Sequence, residues 1–502
     1  MKMFWKLVIV LAYLLLMGLV GFLTMKKNRT ASDFFLGNRN IGPWMSAFAY
    51  GTTYFSAVIF IGYAGKIGWQ FGISSLWIVL GNSLIGSFLA WKVLGRRTRE
   101  MTVRLGTMTM PAFLEARFNS RKLRLLAALI IFIFLVPYSA SVYMGLSYLF
   151  EQTVGIPYVL SLVFMTIITG LYLVLGGYLA ISITDFLQGI VMLAGVAAML
   201  YFGIGHEKVG GLVTGLSRLA AIDPQLARPI GPPGWLPMAG LVFLTSVGSW
   251  GLPQMVQKFY AIKSEGAIKR ATVISTVFSV IIALGAYLVG SFSRLYLAEV
   301  PLVGGAANFD AIMPQVLSQA LPEGLLVLIL MLVLSASMST LASLVLVASS
   351  TVVLDLLGEE RLGKKKTVGW LRFFCGLFVL LSLAIALRRN TLILTLMTLS
   401  WGTVAGSFIA PYLYGLYWPR TTKAGAAAGM LSGLVVSISL ALYYKFDAGL
   451  MPVIGSVAMI VPLFVVPIVS WLTEPLPKEH LVKAYGQEIY DTKLTGSEEI
   501  GG

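Results

Sequence analysis

The sequence predicts an all-α membrane protein of about thirteen crossing helices. Three observations carry that reading. The 502-residue chain is 58% hydrophobic and only 12% charged, against about 25% charged residues in an ordinary soluble domain. So few charges cannot cover a water-facing surface, and lipid must take water's place. The mean hydropathy is +0.86. Finally, apolar runs of about 20 residues, the length that crosses a bilayer as a helix, recur along the whole chain.

Taken in order, the candidate spans are 5–24, 42–66, 71–93, 124–150, 156–175, 179–204, 235–257, 271–294, 324–353, 368–387, 391–417, 424–444 and 451–472. Span 1, in "MFWKLVIVLAYLLLMGLVGFLTM", is too long for the apolar stretch of a cleaved leader. "KKNR" comes after it instead of a small-residue cleavage site, so it reads as a retained helix. Span 2 holds Gly51, Thr52, Thr53, Tyr54 and Ser56 in its middle, and span 6 holds Asp185. Span 7 contains Gly248, Gly251 and Pro253, and span 9 contains Ser335, Ser337, Ser339, Thr340 and Ser343. In span 12, Gly425, Gly429 and Gly433 form a small-residue stripe suited to helix packing. Two long loops, 206–235 and 298–324, carry short amphipathic pieces and read as lids or surface helices, not domains. The chain thus divides into a single transmembrane domain, 1–472, and a polar tail, 473–502, expected to be partly disordered.

The charges set the orientation. With an odd number of spans the two termini face opposite sides. Placing the C-terminus in the cytoplasm puts "KKNR", "GRRTREMTVRL", "NSRKLR", "KFYAIKSEGAIKR", "EERLGKKK" and "YWPRTTK" inside. By that count roughly 27 Lys and Arg lie inside and roughly 10 outside, as the positive-inside rule demands. The net charge of +16 is then a topological signal, and no nucleic-acid partner is expected. The location is a cell membrane, with the N-terminus outside. No obligate protein partner is evident.

Several chemistries are excluded. A single cysteine, Cys375, allows neither an internal disulfide nor a thiol metal site. His206 and His480 fall far apart, in loop and tail. No HExxH, Walker loop or GxSxG elbow occurs in a plausible context, so neither an enzyme nor a nucleotide-driven pump is expected. No cofactor is expected.

The interior polar residues are the informative ones. A helix can break inside a bilayer only where it faces protein or a watery cavity. Spans 2 and 7 break in matching places of two five-span units, the pattern of an inverted-repeat transporter. A break bares carbonyl oxygens, and a hard cation such as sodium wants several oxygens. Thr52 and Phe55 are three apart, as carbonyls on one unwound turn should be. Ala336, Ser339 and Thr340 on span 9 offer a carbonyl and two hydroxyls. Close helix packing is the competing reading for span 2, and bonding back to the helix's own carbonyls is the competing reading for span 9. Asp185 marks an ion path, an acid paired with a base, or a snorkelling acid near the inner end of its span.

These residues resemble the sodium:solute symporter family. "LGGYLAISITDFLQGIVM" is similar to that family's GG-x-x-A-x-x-x-TD-x-x-Q signature, and "FFLGNRNIGP", "GLPQMVQKF", "SASMSTLAS" and "LYWPRTTKAGAAAG" occur in the family order. The resemblance is nearest to its sodium/proline group. It implies a LeuT-like core of two inverted repeats, 42–204 and 235–417, preceded by a first helix and inner loop, 1–40, and succeeded by two peripheral helices, 424–472. It also implies a sodium site built from Thr52, Phe55, Ala336, Ser339 and Thr340. Asp185 would serve a second ion or the coupling, as would Arg39. Tyr54, Ser56, Tyr138 and Ser249 would face the solute. Proline-type carriers have an aspartate where this chain has Tyr54, and larger aromatics where it has Thr245 and Ser249. The expected function is sodium-coupled symport into the cell of a small organic solute, an amino acid such as proline or a small carboxylate. A transporter-fold sensor, a proton-coupled carrier and a passive channel are the alternatives.

Overall fold

The computed structural model describes residues 2–25, 30–232, 234–303, 305–388 and 393–487. The "KKNR" motif at 26–29 and the end of the tail lie outside the described residues. Secondary structure among them is helical, apart from a hairpin pairing Leu302–Val303 with Ala306–Ala307 and one parallel bridge between Ile41 and Ile262. Nine helices among the described residues are long and apolar enough to cross a bilayer. The count is ten if the bent pair Trp235–Trp250 and Pro253–Ala261 is one crossing.

Two of the helical runs are far longer than a membrane is thick. Tyr158–Gly205 has 48 residues, about 72 Å if straight, against a hydrocarbon core of about 30 Å. Gly177 interrupts it with φ 61° and ψ −178°, a conformation open essentially to glycine alone. The interruption falls between the expected spans 5 and 6. The run Ile59–Arg104 has 46 residues, and Gly72, with φ 58° and ψ −137°, ends the helix Ala64–Phe71 within it.

Span 2 starts as a helix at Pro43, whose fixed φ suits a first turn. It runs to Tyr54 and then leaves helical geometry at Phe55, with φ −103° and ψ 91°. Ser56 accepts the Val58 N–H at 3.2 Å through its hydroxyl, a cap for the second half. A π-turn, Ile59–Tyr63, and the helix Ala64–Phe71 complete the crossing. Span 7 is the helix Trp235–Val247, a tight turn at Gly248–Trp250, extended backbone at Leu252, and a restart at Pro253–Ala261. The two halves meet at 40°.

Burial sorts the helices into centre and rim. The most apolar stretches of Leu326–Leu357 and Ile393–Tyr417 are each 89% buried, whereas that of Lys366–Ala386 is 28% buried and that of Lys423–Tyr443 39%. The first two form the core around the breaks. At one end of the molecule the Ile41 N–H donates to the Ala261 carbonyl at 3.2 Å, and the Lys263 N–H donates to the Ile41 carbonyl at 3.1 Å. The entry to span 2 and the exit from span 7 therefore share a rung of main-chain bonds. The long loops carry the short helices Leu212–Ile222 and Ile312–Ala320.

The start of the tail is more ordered than its polar composition suggested. Lys478–Tyr485 is a helix that buries Leu481, Ala484 and Tyr485. The Tyr485 hydroxyl donates to the Gly415 carbonyl at 2.7 Å and accepts from the Arg117 guanidinium at 2.9 Å. Three apolar contacts and one buried arginine outweigh the local polarity.

Candidate functional site

In a continuous helix the Thr52 carbonyl would accept from the N–H four residues on, that of Ser56. Because the helix ends at Tyr54, Ser56 is no longer in helical register. Two hydroxyls from the Leu326–Ser350 helix reach the Thr52 carbonyl instead. Ser339 Oγ lies 3.1 Å from it and Thr340 Oγ1 3.3 Å. Ser339 Oγ also lies 3.2 Å from the Ala336 carbonyl and 2.9 Å from that of Ser335, the back-bonds a helical serine makes. Thr340 Oγ1 reaches the Thr53 carbonyl at 3.3 Å. Thr52, Ala336, Ser339 and Thr340 are thus brought together out of solvent, with Phe55 buried at the break itself. The set offers neutral oxygens and no carboxylate. That donor chemistry fits a small hard monovalent cation better than calcium or magnesium, which draw carboxylates into their shells. Among the described residues no group of three or more His, Cys, Asp and Glu is placed to hold a metal.

Beside the break lies a small cavity. Its walls include Tyr54, Ser56, Tyr63, Asn82, Tyr287 and Trp401, and its interior offers about 20 Å³, room for roughly one water-sized molecule. Tyr54 donates to the Thr245 carbonyl at 2.7 Å, tying span 2 to span 7 across the cavity. Its ring stacks near that of Trp401, 6.2 Å between centroids, and Tyr138 meets Trp401 edge-on at 5.9 Å. Among the described residues, Tyr138 Oη, Tyr287 Oη and Trp401 Nε1 are buried without a hydrogen-bond partner. Buried polar groups are rarely left so; of the three, Tyr287 and Trp401 belong to the cavity wall, and Tyr138 packs on Trp401. Ser249 Oγ lies 2.9 Å from the Ser246 carbonyl and 3.1 Å from that of Gly86, either of which it can donate to.

Asp185 is fully buried, so it does not snorkel, and neither carboxylate oxygen has a hydrogen-bond partner among the described residues. Arg39 sits where the two broken spans meet. Its guanidinium donates to the carbonyls of Tyr260 at 3.2 Å, Thr102 at 3.3 Å and Thr107 at 2.5 Å, and to the Thr102 hydroxyl at 3.1 Å.

Sequence reasoning missed several residues here. Lys258, grouped by charge counting with the inner loops, is instead fully buried within Pro253–Ala261. Its neighbours Lys263, Lys269 and Arg270 disguise it as part of a basic loop. The signal that could have found it is a base only five residues after the proline that restarts an interrupted span, where a charge in oil needs a partner. Trp401, Tyr287, Tyr63 and Asn82 were not singled out, because aromatic residues in apolar runs look like ordinary core and a lone amide there carries no pattern.

Comparisons with known proteins give the family and the fold. The model of the sodium:solute symporter family matches residues 34–433. A sodium/proline symporter of Staphylococcus aureus is 29% identical over 488 residues, covering 95% of this chain and 93% of its own. The fold is similar to that of a Na+-coupled sialic acid symporter solved in a substrate-bound outward-open state, with a TM-score of 0.75 and 21% identity over 94% of this chain and 99% of that one. It is also similar to a nucleobase-cation-symport-1 family transporter in a closed conformation, with a TM-score of 0.55 and 16% identity over 90% and 97%. The family match spans both broken helices, the hydroxyl-bearing helix and the signature around Asp185, and the chain belongs to the sodium:solute symporter family.

Proposed function

We propose that the chain imports a small organic solute by sodium-coupled alternating access, with sodium held by the carbonyls of Thr52, Phe55 and Ala336 and the hydroxyls of Ser339 and Thr340. The meeting of Ser339 and Thr340 with the Thr52 carbonyl carries this reading. Sodium binding would turn both hydroxyl protons outward and fix the Phe55 break, which shapes the cavity lined by Tyr54 and Ser56. The proposed architecture is thirteen spans, with two inverted five-span repeats that rock about the cage, the N-terminus outside and the tail inside.

The named cavity residues Tyr54, Ser56, Tyr63, Asn82, Thr245, Tyr287 and Trp401 carry no charge. The unpartnered donors of Tyr287 and Trp401 on its wall suit the carboxylate of an amino acid or a small acid. The named function of the S. aureus relatives makes proline the first solute to test. One sodium falling through about 100 mV contributes about 2.3 kcal/mol, and a tenfold gradient about 1.4 more. Together they support accumulation of a neutral solute on the order of several hundredfold.

The test is uptake into proteoliposomes under an inward sodium gradient, first of proline, then of other amino acids and monocarboxylates. Accumulation above equilibrium that collapses when choline replaces sodium is the expected result. Equal accumulation under a proton gradient without sodium would overturn the reading, and equilibration without accumulation would point to a passive pathway.

A further inference from the structure

A second chamber lies toward the end of the broken helices away from the Ile41 joint. It encloses about 320 Å³, and its walls include Lys66, Gln70, Leu241, Leu394, Asp447 and Pro452. That volume falls among the roughly 300–1,000 Å³ of sites that hold small molecules, whereas the cavity at the break offers about 20 Å³. The two spaces share three spans. On span 2 the wall passes from Tyr63 to Lys66, on span 7 from Thr245 to Leu241, and on the helix Ile393–Tyr417 from Met397 to Leu394. Each step is about one turn along a common face. The chamber therefore stands one turn beyond the cavity, on its outer side in the proposed orientation. Lys66 is only 6% exposed. Among the described residues its ammonium makes one hydrogen bond, to the Ala448 carbonyl at 3.4 Å, and no ion pair. Its Nζ lies 5.8 Å from the centre of the Phe309 ring. An ammonium carries three donors, and a buried charge is normally paired. The acids of this region bond elsewhere. Asp310 Oδ2 accepts the Ile393 N–H at 3.2 Å, and Asp447 Oδ1 accepts those of Gly449 at 2.8 Å and Leu450 at 3.1 Å.

We propose that this chamber is an outer holding site, in which Lys66 takes the carboxylate of the solute before the solute moves one turn inward. The inference rests on the import reading above and deepens it, because it narrows the solute to a carboxylate-bearing molecule of about amino-acid size. A fixed cation in a cleft with apolar walls concentrates anions and raises their on-rate. Ile67, Leu241 and Leu394 supply such walls, each nearly without solvent contact. The holding contact needs no sodium, since the proposed sodium cage at Thr52, Ser339 and Thr340 belongs to the break farther in. Carboxylate recognition at Lys66 and sodium dependence at the cage are thus separate steps.

The test reads protection of the chamber wall in purified full-length protein. Cys375→Ala removes the one native cysteine, and Gln70→Cys places a reporter one turn from Lys66. Labelling by a neutral maleimide is timed with proline, cyclopentanecarboxylate or prolinamide present, in sodium chloride and in choline chloride. Proline and cyclopentanecarboxylate, on the order of 10 mM, are expected to slow labelling about threefold or more by mass action, equally in both salts. Prolinamide, which lacks the carboxylate, is expected to leave the rate unchanged. Lys66→Met keeps the stem, removes the charge and should abolish the protection. Leu450→Cys, on the exposed rim, is the second reporter, and neither reporter needs the Lys66 variant. No protection by either carboxylate, equal protection by prolinamide, or protection that survives in a folded Lys66→Met overturns the inference. So does protection confined to sodium, which would trace to the inner cavity. Protection in choline without sodium-driven accumulation in the uptake assay would instead remove the import reading and leave the Lys66 site standing.

Discussion

Replacing both Ser339 and Thr340 by alanine strips the proposed cage of its two hydroxyls and leaves its carbonyls in place. A hydrogen bond or dipole contact to a charged group is worth about 1.5–3 kcal/mol, so two lost contacts amount to about 3–6 kcal/mol. At about 1.4 kcal/mol per tenfold, sodium half-saturation should rise on the order of 10² to 10⁴. Each single variant should raise it on the order of 10 to 100. The folded state loses less, because in the absence of the ion these hydroxyls bond mainly to carbonyls of their own or the neighbouring helix. Ser337→Ala is the internal control. That hydroxyl belongs to the same helix and donates to the Val333 carbonyl at 2.7 Å, so its loss should leave sodium dependence unchanged. The assay is initial uptake rate against sodium concentration in proteoliposomes, with a thermal melt of each variant in parallel. A double variant that melts like the wild type and keeps its half-saturation within about twofold would refute the cage.

Other contacts give three further expected outcomes. A methyl group at Gly86 would run into the Tyr54 hydroxyl, so Gly86→Ala should push that ring into the cavity; overpacking costs about 1–3 kcal/mol, and solute KM should rise roughly tenfold or more while sodium binding without solute persists. Trp401→Phe keeps an aromatic wall but removes the unpartnered Nε1 donor; radiotracer kinetics should show KM raised about tenfold, with kcat changed less. Asp355 is buried and accepts from Arg124 Nε at 2.8 Å and from Thr109 Oγ1 at 2.8 Å. Arg124→Ala should therefore destabilise the fold by about 3–5 kcal/mol, seen as a lower melting temperature, and adding Asp355→Asn should recover much of the loss.

What was legible in the sequence is what breaks the rules of a lipid environment. Hydroxyls stacked beside a glycine in span 2, a proline after two glycines in span 7, and the adjacent pair Ser339 and Thr340 all violate an otherwise apolar pattern. The structure brings Ser339 within hydrogen-bond reach of the Thr52 and Ala336 carbonyls, and Thr340 within reach of that of Thr52. Residues that obey the apolar pattern were silent. Trp401 and Tyr287 line the cavity yet read as packing, since an aromatic ring in oil needs no explanation. Lys258 failed for another reason: charge counting treats a run of bases as one loop, and only the restart of the helix at Pro253 carries this one inward. Ser249, a polar residue at the break of span 7, has the carbonyls of Gly86 and Ser246 within reach of its hydroxyl. Gly177 and Gly72 fall near the divisions expected between spans 5 and 6 and between spans 2 and 3, and each interrupts a long helical run.

The two main-chain bonds that Ile41 makes with Ala261 and Lys263 yoke the stems of the broken helices like the pivot of a pair of shears. With Arg39 clamped over the same joint, that end of the pair is expected to move as one piece in the proposed cycle. Flexing is then left to the extended residues farther in, Phe55 on one blade and Leu252 on the other. A chemical crosslink across the joint should accordingly leave transport running, while stiffening either blade at its bend should arrest it.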